Sequence, residues 1–194
     1  MNVMATLKPA AHGDPLPFKL RIEDYELLDR AGAFHGQRVE LIEGVLIAMS
    51  PQRRPHSYLK NELTFRFRLA LAAKGSDLSA QSEPTVQISA TSAPEPDIAL
   101  TTAPKGEGYV PIASVAMVVE IADTSMRFDM AEKRDIYAEA SVPEYWVIDV
   151  GRTEVHRFHG PADGAYRQEP PVPLAGELRS LTIPDLAIDG TGIL

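Results

Sequence analysis

Cysteine is absent from the 194-residue chain. That excludes disulfides and thiolate zinc sites, and it fits a reducing, cytoplasmic setting. No apolar run reaches the roughly eighteen residues of a membrane-spanning helix, so neither a transmembrane segment nor a membrane partner is expected. The opening residues, MNVMATLKPAAHGDPLP, lack the apolar centre of a signal peptide and read as a flexible lead-in over 1–17. Positive charge is scarce: 19 basic side chains against 27 acidic ones leave a net charge of −8. Nucleic-acid binders usually carry a basic footprint, so the overall balance argues against that partner. No repeat, low-complexity tract or composition break divides the chain. One domain over 18–194 is expected, long enough to bury a real core.

Around Val115–Tyr137 the sequence is most informative. Val115-Ala116-Met117-Val118-Val119 is an apolar, β-branched run that predicts a strand covered on both faces, ending at Glu120. Asp129 followed by Glu132 resembles a capping box, which predicts a helix starting at Met130. On that helix Met130, Lys133, Ile136, Tyr137 and Ala140 share one face, so Lys133 points inward. An inward lysine and a strand-end glutamate are costly to bury apart. They form either a structural pair or part of a site.

Elsewhere the pattern is α/β. Residues 18–30 predict a first helix, and 38–50 a hairpin turning at Glu43-Gly44. Residues 56–74 predict a helix with Leu59, Leu63, Phe67, Ala70 and Leu71 as its apolar stripe. Strands are expected at 81–89, from Asp97 to Leu100, at 144–150 and at 154–159, with Tyr145 and Trp146 as packing residues. Between Pro51 and Gly75 lies a basic segment: Arg53, Arg54, Lys60, Arg66, Arg68 and Lys74 against one acid, Glu62. It is either a solvated helix face or a phosphate-contacting surface, with Arg53, Arg54, His56 and Lys60 the candidate nucleic-acid contacts.

Three carboxylates fall on sheet elements beside apolar residues: Glu40, Asp97 and Glu120. Glu40 is read either as an exposed hairpin carboxylate or as a ligand, and Asp97 either as a strand-start residue or as a ligand. Hard oxygen donors of this kind suit Mg²⁺ or Mn²⁺, which take one or two carboxylates and keep several waters.

Pro96-Asp97, then 22 residues, then Glu120 in VVEI resembles the PD-(D/E)XK nuclease superfamily. More narrowly, VELIEG (39–44), EPD (95–97), VVEIADTS (118–125), DMAEKRDIY (129–137) and VPEYWVID (142–149) resemble the Uma-type putative restriction endonuclease family. The likeness covers roughly 20–166. It implies a restriction-endonuclease-like mixed central β-sheet flanked by α-helices, with an N-terminal hairpin. It also implies a metal-dependent endonuclease cleaving phosphodiester bonds, with DNA the usual substrate. Asp97, Glu120 and Glu40 would hold the metal, with Glu43 the alternative to Glu40, and Lys133 would complete the catalytic set. The superfamily places its lysine two residues after the glutamate, where this chain has Ala122; Lys133 resembles a migrated replacement. Since a duplex offers two strands to a single site, a homodimer is a candidate state. Two other readings stand beside this one: a catalytically inactive nuclease-fold module that binds DNA or protein, and a metal-dependent hydrolase with a different substrate.

Overall fold

The computed structural model describes residues 16–194; the expected lead-in, apart from Leu16 and Pro17, lies outside them. Its frame is a seven-stranded mixed sheet in the order β10-β9-β8-β7-β5-β3, with β11 paired to β9. In sequence these are β3 (Ser79–Ser82), β5 (Ile98–Thr101), β7 (Val115–Ala122), β8 (Glu144–Asp149), β9 (Glu154–Ala162), β10 (Ala165–Gln168) and β11 (Val172–Pro173). β7 and β8 run parallel and the other pairs antiparallel. A parallel pair needs a crossover, and the helical segment 126–139 supplies it.

The period-2 alternation of β7 sends its residues to two separate cores. Met117, Val119 and Ile121 pack with Leu59, Leu63, Phe67 and Leu71 of α2 (Arg54–Ala73) and with Trp146 of β8. Val118 and Ala122 face the other way, with Tyr137, Tyr145, Val147 and Phe158. The central strand is thus covered on both faces, and Tyr145 and Trp146 are core residues. Glu144, beside them, is fully buried and has no cationic partner among the described residues. Its oxygens accept hydrogen bonds from Trp146 Nε1, Ser180 Oγ, Thr182 Oγ1 and the N–H groups of Leu181 and Thr182, pinning the C-terminal segment to the sheet.

The hairpin forms as expected from β1 (Val39–Ile42) and β2 (Val45–Ala48). Glu43 and Gly44 at its turn have φ of 48° and 76°, the pair of positive values a two-residue turn demands. A Cβ on Gly44 would lie 2.6 Å from Cβ of Lys19, so glycine is required there. α1 (Ile22–Arg30) covers the hairpin through Ile22 and Tyr25. It starts later than the predicted Phe18: the chain stays extended through Arg21 (φ −101°, ψ 169°), where Leu20 donates its N–H to the Gly44 carbonyl at the hairpin turn.

Two further elements depart from expectation. The strand predicted over 81–89 splits into β3 and β4 (Val86–Gln87), the latter pairing with β6 (Val110–Pro111). Glu83 takes a positive φ of 51° and Pro84 has no N–H to give, so the chain turns between them. The helix predicted from Met130 begins at Met126: α3 (Met126–Phe128), a π-helical turn (Asp129–Lys133), then α4 (Arg134–Glu139). Asp129 is not its cap. Among the described residues no helix is long and apolar enough to cross a membrane.

Candidate active site

A cleft of about 680 Å³ opens between the 47–53 segment on one side and the 123–129 segment on the other. Its lining includes Glu40, Asp97, Glu120 and Lys133, so the structure brings together all four residues singled out from the sequence. Strand register explains the first pair. Ile98 pairs with Val119, which sets Asp97, one residue before β5, opposite Glu120. The Asp97 N–H donates to Glu120 Oε2 at 3.2 Å, and the Ile121 N–H donates to Asp97 Oδ2 at 2.8 Å. Both carboxylates are thereby held by backbone rather than by loop.

Glu40 comes from the hairpin. The Ala93 N–H bonds to the Leu41 carbonyl and ties β1 to the strand-like 93–97 stretch, and Glu40 turns inward, 3% exposed. Its Oε2 accepts from the Glu95 N–H at 3.1 Å and lies 3.2 Å from Lys133 Nζ. Lys133 Nζ also donates to Glu120 Oε1 at 3.0 Å, and the Tyr137 hydroxyl approaches the same oxygen at 3.4 Å. The lysine is 5% exposed and seated between two glutamates.

The structure adds a fourth carboxylate that the sequence reading placed at a helix start. Asp129 lines the cleft, is 3% exposed and accepts a 2.5 Å hydrogen bond from Ser125 Oγ. The signal was there. Asp129 precedes Lys133 by four residues, so an inward lysine on a continuous helix implies an inward aspartate one turn earlier.

Electrostatically the cluster is short of cations. Burial pushes the Glu120 carboxyl well above the usual range; Lys133 opposes this, while Asp129, Asp97 and Glu40 add to it. Burial likewise raises Asp129 to about 6 against the pull of Lys133 and Ser125. For Lys133 burial works downward, but Glu120, Glu40 and Asp129 outweigh it and hold the ammonium protonated. Four carboxylates share one ammonium, so the cluster must retain a proton or gain a positive charge.

Asp97 and Glu120 present hard oxygen donors side by side, and these fit Mg²⁺ or Mn²⁺, which bind one or two carboxylates and keep waters. Among the described residues no three acidic or histidine side chains are grouped as a ready-made metal cage. Glu40 is engaged with Lys133 and the Glu95 N–H.

The four candidate nucleic-acid contacts fare differently. Arg53 lines the cleft and Arg54 is exposed just beyond it; neither makes an ion pair among the described residues. His56 also lines the cleft, its Nε2 3.2 Å from Asp97 Oδ2 and its buried Nδ1 without a partner among the described residues. Lys60 is placed differently from the other three. It is 4% exposed, donates to Gln52 at 2.6 Å and pairs with Glu83 at 2.8 Å, so its ammonium is committed within the protein. Burial would raise Glu83, but hydrogen bonds from Lys60 and Arg38 prevail and take it down to about 2. Arg38 bonds Glu83 at 2.6 Å and Glu95 at 2.7 Å, bracing the hairpin against the 95–97 stretch.

Residues 22–190 match the Uma2 family model, described as a putative restriction endonuclease. The fold is similar to the crystal structure of a putative nuclease from Anabaena variabilis, with a TM-score of 0.69 at 14% identity. That match covers 90% of this chain and 97% of the other. No curated protein matches the chain.

Proposed function

The chain belongs to the Uma2 family of putative restriction endonucleases, and from that premise we propose that it is a metal-dependent endonuclease hydrolysing phosphodiester bonds in DNA. Asp97 and Glu120 would hold Mg²⁺ or Mn²⁺. When bound, such a cation polarises the phosphoryl group and acidifies a water. The chain's own part is to fix the two carboxylates through backbone hydrogen bonds and to keep Lys133 charged beside them. Lys133 donates a hydrogen bond to the charge that builds on the phosphate oxygens, a role worth most in a site screened from water. Glu40 aims the lysine. The observation that carries this reading is the charge imbalance: four buried carboxylates line the same cleft as one ammonium, an excess of negative charge that favours a further cation.

The test is incubation with supercoiled and linear DNA in Mg²⁺, Mn²⁺ or chelator. Cutting should require the cation and be lost in Asp97→Ala and Glu120→Ala proteins that still fold. Lys133→Ala should cut about 10²–10³-fold more slowly while still binding DNA. A folded Asp97→Ala protein that cuts at the wild-type rate would sink the proposal.

A second reading is a nuclease-fold module that binds DNA or a protein without cutting. The seating of Lys133 between Glu40 and Glu120 favours it, since buried ion pairs also serve structure alone. It predicts no hydrolysis with any cation, and a large loss of stability in Lys133→Ala.

A further inference from the structure

A second, more open cavity of about 880 Å³ adjoins the first, and Gln52 lines both. Arg53 faces the acidic cleft, while Arg54, Ser57, Tyr58 and Asn61 of α2 line the second cavity against Ile193 of the C-terminal segment. Arg66 holds that segment in place by donating to the carbonyls of Asp189 and Thr191. No lining side chain is acidic, in a chain whose net charge is −8.

Tyr58 is 57% exposed, and its hydroxyl has no hydrogen-bond partner among the described residues. It lies one helical turn beyond Arg54, on the same face. An aromatic ring in solvent beside an uncommitted guanidinium suits an unpaired nucleotide: the ring stacks a base and the guanidinium takes a phosphate. Exposed Phe65 and Leu69 lie further along α2, outside the cavity, so the cavity itself pairs one aromatic ring with one guanidinium rather than forming an apolar patch. Continuity with the first cleft through Gln52, and the Arg54 guanidinium beside the Tyr58 ring, favour a nucleic-acid strand.

We propose that the cavity around Tyr58 is a binding subsite for unpaired nucleotides flanking the scissile bond, with Tyr58 the base-stacking platform and Arg54 the phosphate contact. This rests on the nuclease reading above.

The test compares a blunt duplex with the same duplex carrying a short single-stranded tail, using fluorescence anisotropy in chelator. The wild type should bind the tailed probe about tenfold more tightly, the scale of one base–aromatic stack. Tyr58→Ala should erase that difference without changing blunt-duplex affinity or melting temperature, and Tyr58→Phe should keep it. A tail that adds nothing in the wild type, or a tail effect that survives Tyr58→Ala, overturns the subsite alone. Tyr58→Ala abolishing self-association in sedimentation, with DNA binding untouched, would assign the surface to a second copy and also overturn it. Failure to bind either probe or to cut any DNA overturns the nuclease reading together with the subsite.

Discussion

Asp129 is the site carboxylate whose ionisation the protein resists with a value that can be tested. Its carboxyl sits at about 6, against 3.8 ordinarily. Between those two values the folded state keeps a proton that the unfolded chain has released. Stability from this group is therefore fully present below about pH 4, falls as pH rises to 6, and is flat above. Asp129→Asn keeps an acceptor for Ser125 and removes the titration. The variant should be more stable than wild type above pH 6, by roughly 2–3 kcal/mol, and converge with it near pH 4. Thermal melts across this range in chelator check it; a gap independent of pH would mean that Asp129 does not titrate there. At this scale Glu120 and Lys133 were legible in the sequence because each placed a charge where the apolar pattern demanded burial. Glu40 was ambiguous because strand alternation alone does not say which face of a two-stranded hairpin is covered. Asp129 was missed because the same residue type also caps helices.

Elements with a clean period were legible in the same way. The β1–β2 turn, the stripe of α2 and the apolar run of β7 each obeyed one rule, and the structure kept them. The helix 126–139 did not: it starts at Met126, a turn before the expected cap at Asp129, and its π-helical turn adds a residue to the repeat. The strand at 81–89 was broken by a positive φ at Glu83 next to Pro84, and of the two only the proline is a breaker visible in the sequence. α2 also separates two kinds of basic residue that look alike in sequence. Replacing Arg53 and Arg54 with Gln should lower the salt slope of DNA binding by about two, because both guanidiniums are uncommitted among the described residues. Lys60→Met should leave that slope unchanged and lower stability by about 1–3 kcal/mol, because it strips Gln52 and Glu83 of a donor. Binding isotherms over a salt series, paired with melts, distinguish the two. A slope that falls with Lys60→Met would return that lysine to the binding surface.

For the molecule as a whole, the acidic cluster is where the hairpin, β5, β7 and the 126–139 helix meet, so its charge state should register in global stability. Glu120→Gln keeps the shape and removes a carboxyl whose ionisation burial and the neighbouring Asp129, Asp97 and Glu40 oppose. Lys133 retains Glu40 as a partner, so the substitution does not strand the ammonium. The metal-free variant should therefore be more stable than wild type, by about 1 kcal/mol from relieved repulsion. Mg²⁺ or Mn²⁺ at a hundredfold excess over its dissociation constant adds about 2.7 kcal/mol to a protein that binds it only when folded. In a chain of this size that is a rise of roughly 5–10 °C in Tm. The wild type should show that rise and Glu120→Gln should lose most of it, so the order of the two melting points reverses between chelator and metal. If Glu120 and Lys133 were instead a purely structural pair, the Gln variant would melt lower in chelator and the wild type would ignore the cation. That result would leave the non-cutting module as the reading of the fold.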